Sequence, residues 1–176
     1  MKNQEIAQLF FEEFLGEKAT AFLALPQSGS ARMNFIGKSS NETYVITYNE
    51  NLLENEAFFY FTQVFSDLKL NTPQILKINE ERKLYIQEFL GEKTLSEIIT
   101  LEGESERVKS LVKQTLKHLF ELQEKTQNKI DFSKTFEYEK YDELPITHDL
   151  YYFKNYLIDI LELPYHKSSL LKEFKK

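Results

Sequence analysis

The chain has 176 residues, of which 41% are hydrophobic and 28% are charged, and its formal net charge is -6. This composition is typical of an ordinary folded protein, and the acidic balance argues against a nucleic-acid partner, which needs a basic face for phosphates. Since cysteine is absent, disulfides, thiolate catalysis and cysteine-ligated zinc are excluded. The sequence has no run near the roughly 20 apolar residues of a membrane span and no signal-peptide pattern, so we expect a cytoplasmic protein without a membrane partner.

The first half of the sequence predicts an antiparallel sheet. Five short segments rich in aromatic and β-branched residues, each bounded by turn residues, predict strands at 21–25, 33–38, 43–48, 75–78 and 83–88. Apolar residues at helical spacing predict a helix over 3–15, before the first strand, and another over 52–65, between the third and fourth strands. We therefore expect an α+β fold in which a five-stranded antiparallel sheet carries one inserted helix.

The second half of the sequence is predicted to be helical. A long apolar stripe predicts one amphipathic helix over 105–124. Two further helices are predicted over 150–161, before Pro164, and over 168–174. We therefore divide the chain into a sheet-containing part, 1–91, and a helical part, 92–176.

The loop between the first two predicted strands consists mostly of small residues. Its members Gln27, Ser28, Gly29, Ser30 and Arg32 would let backbone amides approach phosphates with little side-chain obstruction. This pattern is compatible with a loop that covers a triphosphate. The alternative is a plain hairpin loop that needs Gly29 for a positive φ, since one glycine is far short of a G-x-G-x-x-G pattern.

Glu56 lies one turn into the predicted helix at 52–65. A carboxylate there can point back at the sheet and orient a cation near a nucleotide. Glu54 and Glu50 compete for this role. The alternative is that these acids favour the positive end of the helix dipole, which contributes about 0.3 to 1 kcal/mol.

The fifth predicted strand leaves the sheet through a connector that contains glycine. The backbone carbonyl of Glu88 and the amide of Leu90 are placed to pair with the edge of an adenine, while aliphatic side chains sandwich its ring. Recognition by backbone groups would leave no specificity pattern in the sequence. The alternative is a strand end that turns at Gly91.

Two segments imitate catalytic motifs, and we reject both. His148-Asp149 followed by Asn155 imitates an H-x-D-x-x-x-x-N loop, but its spacing is wrong and its helical periodicity favours N-capping by Asp149. The segment 131–133 imitates a D-F-G metal site but precedes any candidate catalytic loop. The histidines show no metal-ligand spacing, so we assign no catalytic residue and no metal ligand.

Taken in order, these segments resemble the N-terminal lobe of the aminoglycoside phosphotransferase and choline kinase-like family. The closer likeness is to bacterial kinases of cell-wall amino sugars, muramate and glucosamine. Residues 25–32, 55–58 and 87–95 carry the resemblance, which spans about residues 5–165. Its specificity depends on the order of these segments, since no single motif is diagnostic.

The resemblance implies a protein-kinase-like N-lobe and the cofactors ATP and Mg, with the metal ligands expected in the C-terminal part that is missing here. It implies phosphate contact by the loop from Gln27 to Arg32, an orienting role for Glu56, and adenine pairing by the backbones of Glu88 and Leu90 in a hinge. The implied reaction transfers the γ-phosphate of ATP to a hydroxyl of a sugar, amino sugar or aminoglycoside-like acceptor.

Two departures from the family pattern matter. Thr47 occupies roughly the place of the lysine that holds the α- and β-phosphates, so the cation must come from Arg32, Lys38 or elsewhere. The base aspartate and the metal-binding Asn and Asp would follow the last helix. We therefore expect residues 92–176 to be a partial helical C-lobe that lacks the catalytic loop, and this chain to be inactive alone.

The alternative function is that of a non-catalytic module that acts through a protein partner. A third interpretation is an unrelated α+β domain.

Overall fold

A computed structural model describes residues 2–27 and 31–175. The helices are α1 (Lys2–Leu15), α2 (Leu52–Asp67), α3 (Leu95–Glu102), α4 (Glu106–Thr126), α5 (Glu143–Phe153) and α6 (Lys167–Glu173). The strands are β1 (Ala21–Ala24), β2 (Met33–Lys38), β3 (Thr43–Tyr48), β4 (Ile75–Ile78) and β5 (Leu84–Glu88). The chain divides into two compact units, Met1–Phe136 and Glu137–Lys176. The division into lobes after residue 91 stays a prediction.

The sheet confirms the predicted α+β class. Its strand order is β1-β2-β3-β5-β4, and every neighbouring pair is antiparallel. Helix α2 lies between β3 and β4 in the chain, as the sequence predicts. The strand bounds agree with the prediction to within a residue, because each strand is a short β-branched or aromatic run bounded by turn residues.

One face of the sheet forms the main core under α1. Phe35, Ile46 and Ile86 are partners across β2, β3 and β5, and all three are buried. Ala7 and Phe11 of α1 pack on them and are themselves fully buried. Because side chains alternate along a strand, the residues between these core positions point to the opposite face.

The opposite face of the sheet contacts α2 through aromatic rings. Tyr85 is almost fully buried, and its ring centroid lies 5.1 Å from that of Phe58 and 5.2 Å from that of Phe59. Asn34 and Thr47 continue the same row across β2 and β3. This face therefore has a covered part under α2, and the candidate site lies beside that part.

Helix α4 is the long amphipathic helix that the apolar stripe predicts. Ser105 begins it by accepting a hydrogen bond from the amide of Val108, at 3.1 Å. Part of its apolar face is exposed, including Val112, Leu116 and Leu119. Within residues 2–27 and 31–175, none of the helices combines the length and apolar character that crossing a bilayer requires.

In the second unit, the prediction that Asp149 caps a helix was wrong. Helix α5 begins at Glu143, and Asp142 is its N-cap, accepting from the amide of Leu144 at 3.3 Å. Asp149 lies inside the helix. Pro145 is tolerated because the amides of the first helical turn have no partner within the helix. The chain continues from α5 into a π-helical turn at Lys154–Ile158.

Candidate functional site

Beside α2, the sheet face opposite α1 carries an apolar strip, which we define as Leu23, Ile36 and Val45. These residues are successive partners across β1, β2 and β3, so their side chains form one row. Leu23 is exposed, and the other two are half-buried. The row continues to Gln87 of β5, one residue before the connector at Glu88. The strip is a flat apolar surface bounded by the end of β5.

Near this face, Arg32 and Glu54 form an ion pair. Arg32 lies just before β2 and Glu54 lies in the first turn of α2, and the Arg32 Nη2 to Glu54 Oε1 distance is 2.7 Å. Both side chains are largely but not fully buried. The guanidinium carbon lies 5.7 Å from the centroid of the Phe58 ring. The pair thus links the end of the small-residue loop to the start of α2.

Two buried asparagines hold Glu54 in place. The Nδ2 of Asn49 donates to Glu54 Oε2 at 2.8 Å and to Asn55 Oδ1 at 3.1 Å. The Nδ2 of Asn55 donates to the carbonyls of Asn49, at 3.0 Å, and Arg82, at 2.8 Å. These bonds tie the start of α2 to the end of β3 and to the β4–β5 turn. Sequence reasoning missed both residues, because an asparagine beside a helix start is also what a simple cap looks like.

Thr47 lies on the same face but carries no charge. It is almost fully buried, and its hydroxyl donates to Asn34 Oδ1 at 2.8 Å. Burial raises the pKa of the neighbouring Tyr85 hydroxyl, and a hydrogen bond with Thr47 opposes that rise. The position where the resemblance places a lysine is therefore neutral. Arg32, which the sequence analysis named as one possible source of the cation, contacts Glu54 in the first turn of α2.

Glu56 is placed away from Arg32. Its carboxylate forms a two-point contact with the guanidinium of Arg82 in the β4–β5 turn, and one of these contacts, from Nη2 to Oε2, is 2.8 Å long. The hydrogen bond from Arg82 holds the pKa of Glu56 below its usual range. Arg82 also lies over the Phe59 ring, at 4.9 Å. The structure therefore brings Glu54, rather than Glu56, to Arg32.

The loop before β2 is described only at its ends. The Nε2 of Gln27 donates to the carbonyl of Arg32 at 3.2 Å, so Gln27 closes the base of the loop. The predicted phosphate contacts of Ser28, Gly29 and Ser30 lie outside the described residues. The ends of the loop stand next to the Arg32–Glu54 pair.

The connector after β5 is held by hydrogen bonds at Glu88 and is exposed to solvent at Leu90. The Glu88 amide donates to the carbonyl of Gln74 at 3.1 Å, and its carboxylate accepts from the Gln74 amide at 2.9 Å. Leu90 is 67% exposed, and in the described part of the chain no hydrogen bond uses its amide. This amide is therefore accessible to an acceptor on a ligand, as adenine pairing would need.

A cleft opens on the other side of the connector. It has a volume of about 770 Å³ and is lined by Phe14 and Tyr44, together with Glu88 to Leu90. Phe14 belongs to α1, and its ring packs edge-on against Tyr44. This cleft thus belongs to the α1 side, whereas the apolar strip is an open surface on the opposite face.

Among residues 2–27 and 31–175, no group of three or more His, Cys, Asp or Glu side chains is placed to hold a metal ion. No family model matches the chain, and no curated protein matches it significantly.

Proposed function

We propose that this chain supplies the nucleotide-binding lobe of an ATP-dependent phosphotransferase that acts on a hydroxyl of a small molecule such as a sugar or amino sugar. The observation that carries the proposal is the Arg32–Glu54 ion pair beside an apolar strip that leads to an accessible connector. A five-stranded antiparallel sheet with a helix between its third and fourth strands also supports it, since the resemblance implies that architecture.

Arg32 would hold the phosphates of the nucleotide. Phosphoryl transfer depends mainly on positioning and on stabilising negative charge, so the lobe needs a fixed cation near the phosphates. A guanidinium suits phosphate oxygens because its planar N–H groups match their geometry. Glu54, itself held by Asn49, orients this guanidinium. The pair would thus take the role that the resemblance gives to a lysine and a helix carboxylate.

The apolar strip and the connector would hold the base. Leu23, Ile36 and Val45 offer a flat apolar surface against which a purine ring can stack. The amide of Leu90 would donate to a ring nitrogen of adenine, and the carbonyl of Glu88 would accept from its amino group. In this arrangement the phosphates lie toward Arg32 and the base toward the end of β5.

Magnesium would neutralise the phosphates during transfer. Among the described residues, no group of three or more His, Cys, Asp or Glu side chains is placed to hold it. The ligands that the resemblance implies, an Asn and an Asp, have no counterpart among them. We therefore assign the nucleotide, and not the metal, to this chain.

The test is a titration of the full chain with a fluorescent ATP analogue. Arg32→Met should raise the Kd about tenfold or more, because hydrogen bonds to charged groups contribute about 1.5 to 3 kcal/mol. Arg82→Met is the matched control, since it removes a similar Arg–Glu pair from the β4–β5 turn. Comparing Glu54→Gln with Glu56→Gln then separates the two candidate orienting carboxylates.

The proposal would be abandoned if the unaltered chain does not bind the analogue, or if Arg82→Met weakens binding as much as Arg32→Met. Competition by unlabelled ATP must displace the probe. A Kd that changes only with Glu56→Gln would return the orienting role to Glu56.

A second candidate is a non-catalytic module that acts through a protein partner. The buried, neutral Thr47 favours it, because a lobe without the strand lysine is unusual for phosphate transfer. Isothermal titration calorimetry and thermal denaturation with ATP, each with and without magnesium, distinguish the two candidates. An absence of heat and of thermal stabilisation would favour the non-catalytic module.

A further inference from the structure

A groove between α1 and the β4–β5 turn takes no part in the proposed nucleotide site. Its volume is about 590 Å³. Ile6 and Leu9 of α1 form one wall, and Leu84 lies at its base. Leu9 is 63% exposed and Ile6 is 40% exposed, although both lie on a helix whose other side is fully buried. The groove therefore presents apolar side chains to solvent beside a well-packed core.

The β4–β5 turn directs its two cations away from the groove. Arg82 contacts Glu56 of α2, and Lys83 Nζ lies 2.7 Å from Glu50 Oε2. Neither Glu50 nor Glu56 lines the groove. Both cations of the turn are thus paired with carboxylates that do not line the groove.

The carboxylates at the groove are left without such partners. Glu13, Glu80 and Glu81 line it and are exposed, and within residues 2–27 and 31–175 none of them has an ion-pair partner within 4 Å. Lys77 is the one cationic residue of the described chain that lines the groove. The rim therefore has a net negative charge, and the apolar wall lies within it.

The wall formed by the turn is rigid. The Oδ1 of Asn79 accepts from the amides of Lys83 and Leu84, each at 2.9 Å. The Asn79 amide donates to the Leu84 carbonyl at 2.9 Å, and its carbonyl accepts from the Arg82 amide at 3.0 Å. Such a wall lowers the entropic cost of binding, because the turn is already ordered before a partner makes contact.

We propose that this groove binds a cationic amphipathic helix of a partner protein. Apolar side chains of that helix would contact Ile6 and Leu9, while its Lys or Arg side chains face Glu13, Glu80 and Glu81. The charge of the rim selects this occupant over an acidic or purely apolar segment. The inference is independent of the proposed function, since the groove shares no residue with the strip, Arg32 or Glu54.

The test uses two labelled helical peptides with the same leucine pattern, one with lysine and one with glutamate at the polar positions. Fluorescence anisotropy with the full chain should detect binding of the lysine peptide only. The double change Glu80→Lys and Glu81→Lys should raise its Kd about tenfold or more, and added salt should weaken binding, because the rim charges are exposed. Leu9→Ser should weaken it as well.

Matched controls separate the groove from the general acidity of the chain. Leu101 of α3 is 71% exposed, so Leu101→Ser is the counterpart of Leu9→Ser. Glu92→Lys with Glu104→Lys makes the same charge change at exposed positions outside the groove. Equal binding of the two peptides, or equal losses in control and groove variants, would overturn the proposal. So would self-association of the free chain that the Glu80 and Glu81 changes abolish, because the occupant would then be a second copy.

Discussion

Replacing Gly37 by alanine tests how α1 is seated on the sheet that carries the candidate site. A Cβ atom at this position would lie 2.5 Å from Phe11 Cε1, and 2.7 Å from both Phe11 Cδ1 and Ile46 Cδ1. Carbon atoms in contact are about 3.5 to 4.0 Å apart, so the Phe11 ring would have to move by about 1 Å. That ring is fully buried and contacts Phe22 and Tyr44, at centroid distances of 6.1 and 5.5 Å.

Since neighbouring rings surround Phe11, the movement cannot be absorbed locally. We expect Gly37→Ala to lower the free energy of unfolding by about 1 to 3 kcal/mol, which is typical of overpacking in a core. For a chain of this length this corresponds to a decrease in Tm of about 2 to 12 °C. Urea denaturation followed by circular dichroism measures the change.

A double-mutant cycle identifies the cause of this destabilisation. Phe11→Leu removes the ring atoms that a Cβ at Gly37 would meet, so the cost of Gly37→Ala should be smaller in the Phe11→Leu background. The packing argument fails if Gly37→Ala changes stability by less than about 0.5 kcal/mol, the usual effect of a surface change. It also fails if the two substitutions are simply additive.

Three further predictions concern the first unit. Asn55→Ala should cost about 2 to 3 kcal/mol in urea denaturation, because it leaves buried backbone carbonyls without donors, whereas the exposed Asn41→Ala should have little effect. The pKa of Glu12 is lowered from its ordinary value of 4.5, chiefly by a hydrogen bond from Lys18, so its contribution to stability is present above that value and is lost as the pH falls through the lower folded value. Glu12→Gln should therefore flatten the acid side of the stability–pH profile, and an unchanged profile would contradict this. Thr94→Ala should lower stability by about 0.5 to 2 kcal/mol, because it removes the capping box of α3, and Thr94→Ser should restore most of the loss.

Much of the fold could be predicted because its elements have strong local patterns. The strands are short runs of β-branched and aromatic residues, and α4 has a continuous apolar stripe, so both were placed correctly. The start of α5 was missed because Asp142 and Pro145 were not recognised as the beginning of a helix. The apolar spacing that begins at Leu150 describes only its later turns. A proline is tolerated in the first turn of a helix but breaks the helix interior, and periodicity alone does not distinguish the two situations.

The candidate site was harder to predict because it depends on helix phase. Glu54 and Glu56 are two residues apart and therefore point about 200° apart around α2. Which of them meets Arg32 is set by Asn49 and Asn55, which fix the rotation of the helix through bonds to β3 and the β4–β5 turn. One of those bonds, from Asn55 to the carbonyl of Arg82, joins residues far apart in sequence, and no local pattern reveals it.

The neutral Thr47 and the Arg32–Glu54 pair are best understood as one arrangement. A lysine at position 47 would place an ammonium group between Asn34 and the buried Tyr85, where desolvation disfavours the charged form. Glu54, a carboxylate in the first turn of α2, already contacts Arg32 and Asn49. A guanidinium supplied from just before β2 avoids that burial and stays partly exposed at the edge where the loop ends. A cation just before β2 thus gives a paired positive charge beside α2 without placing it in the interior of the sheet.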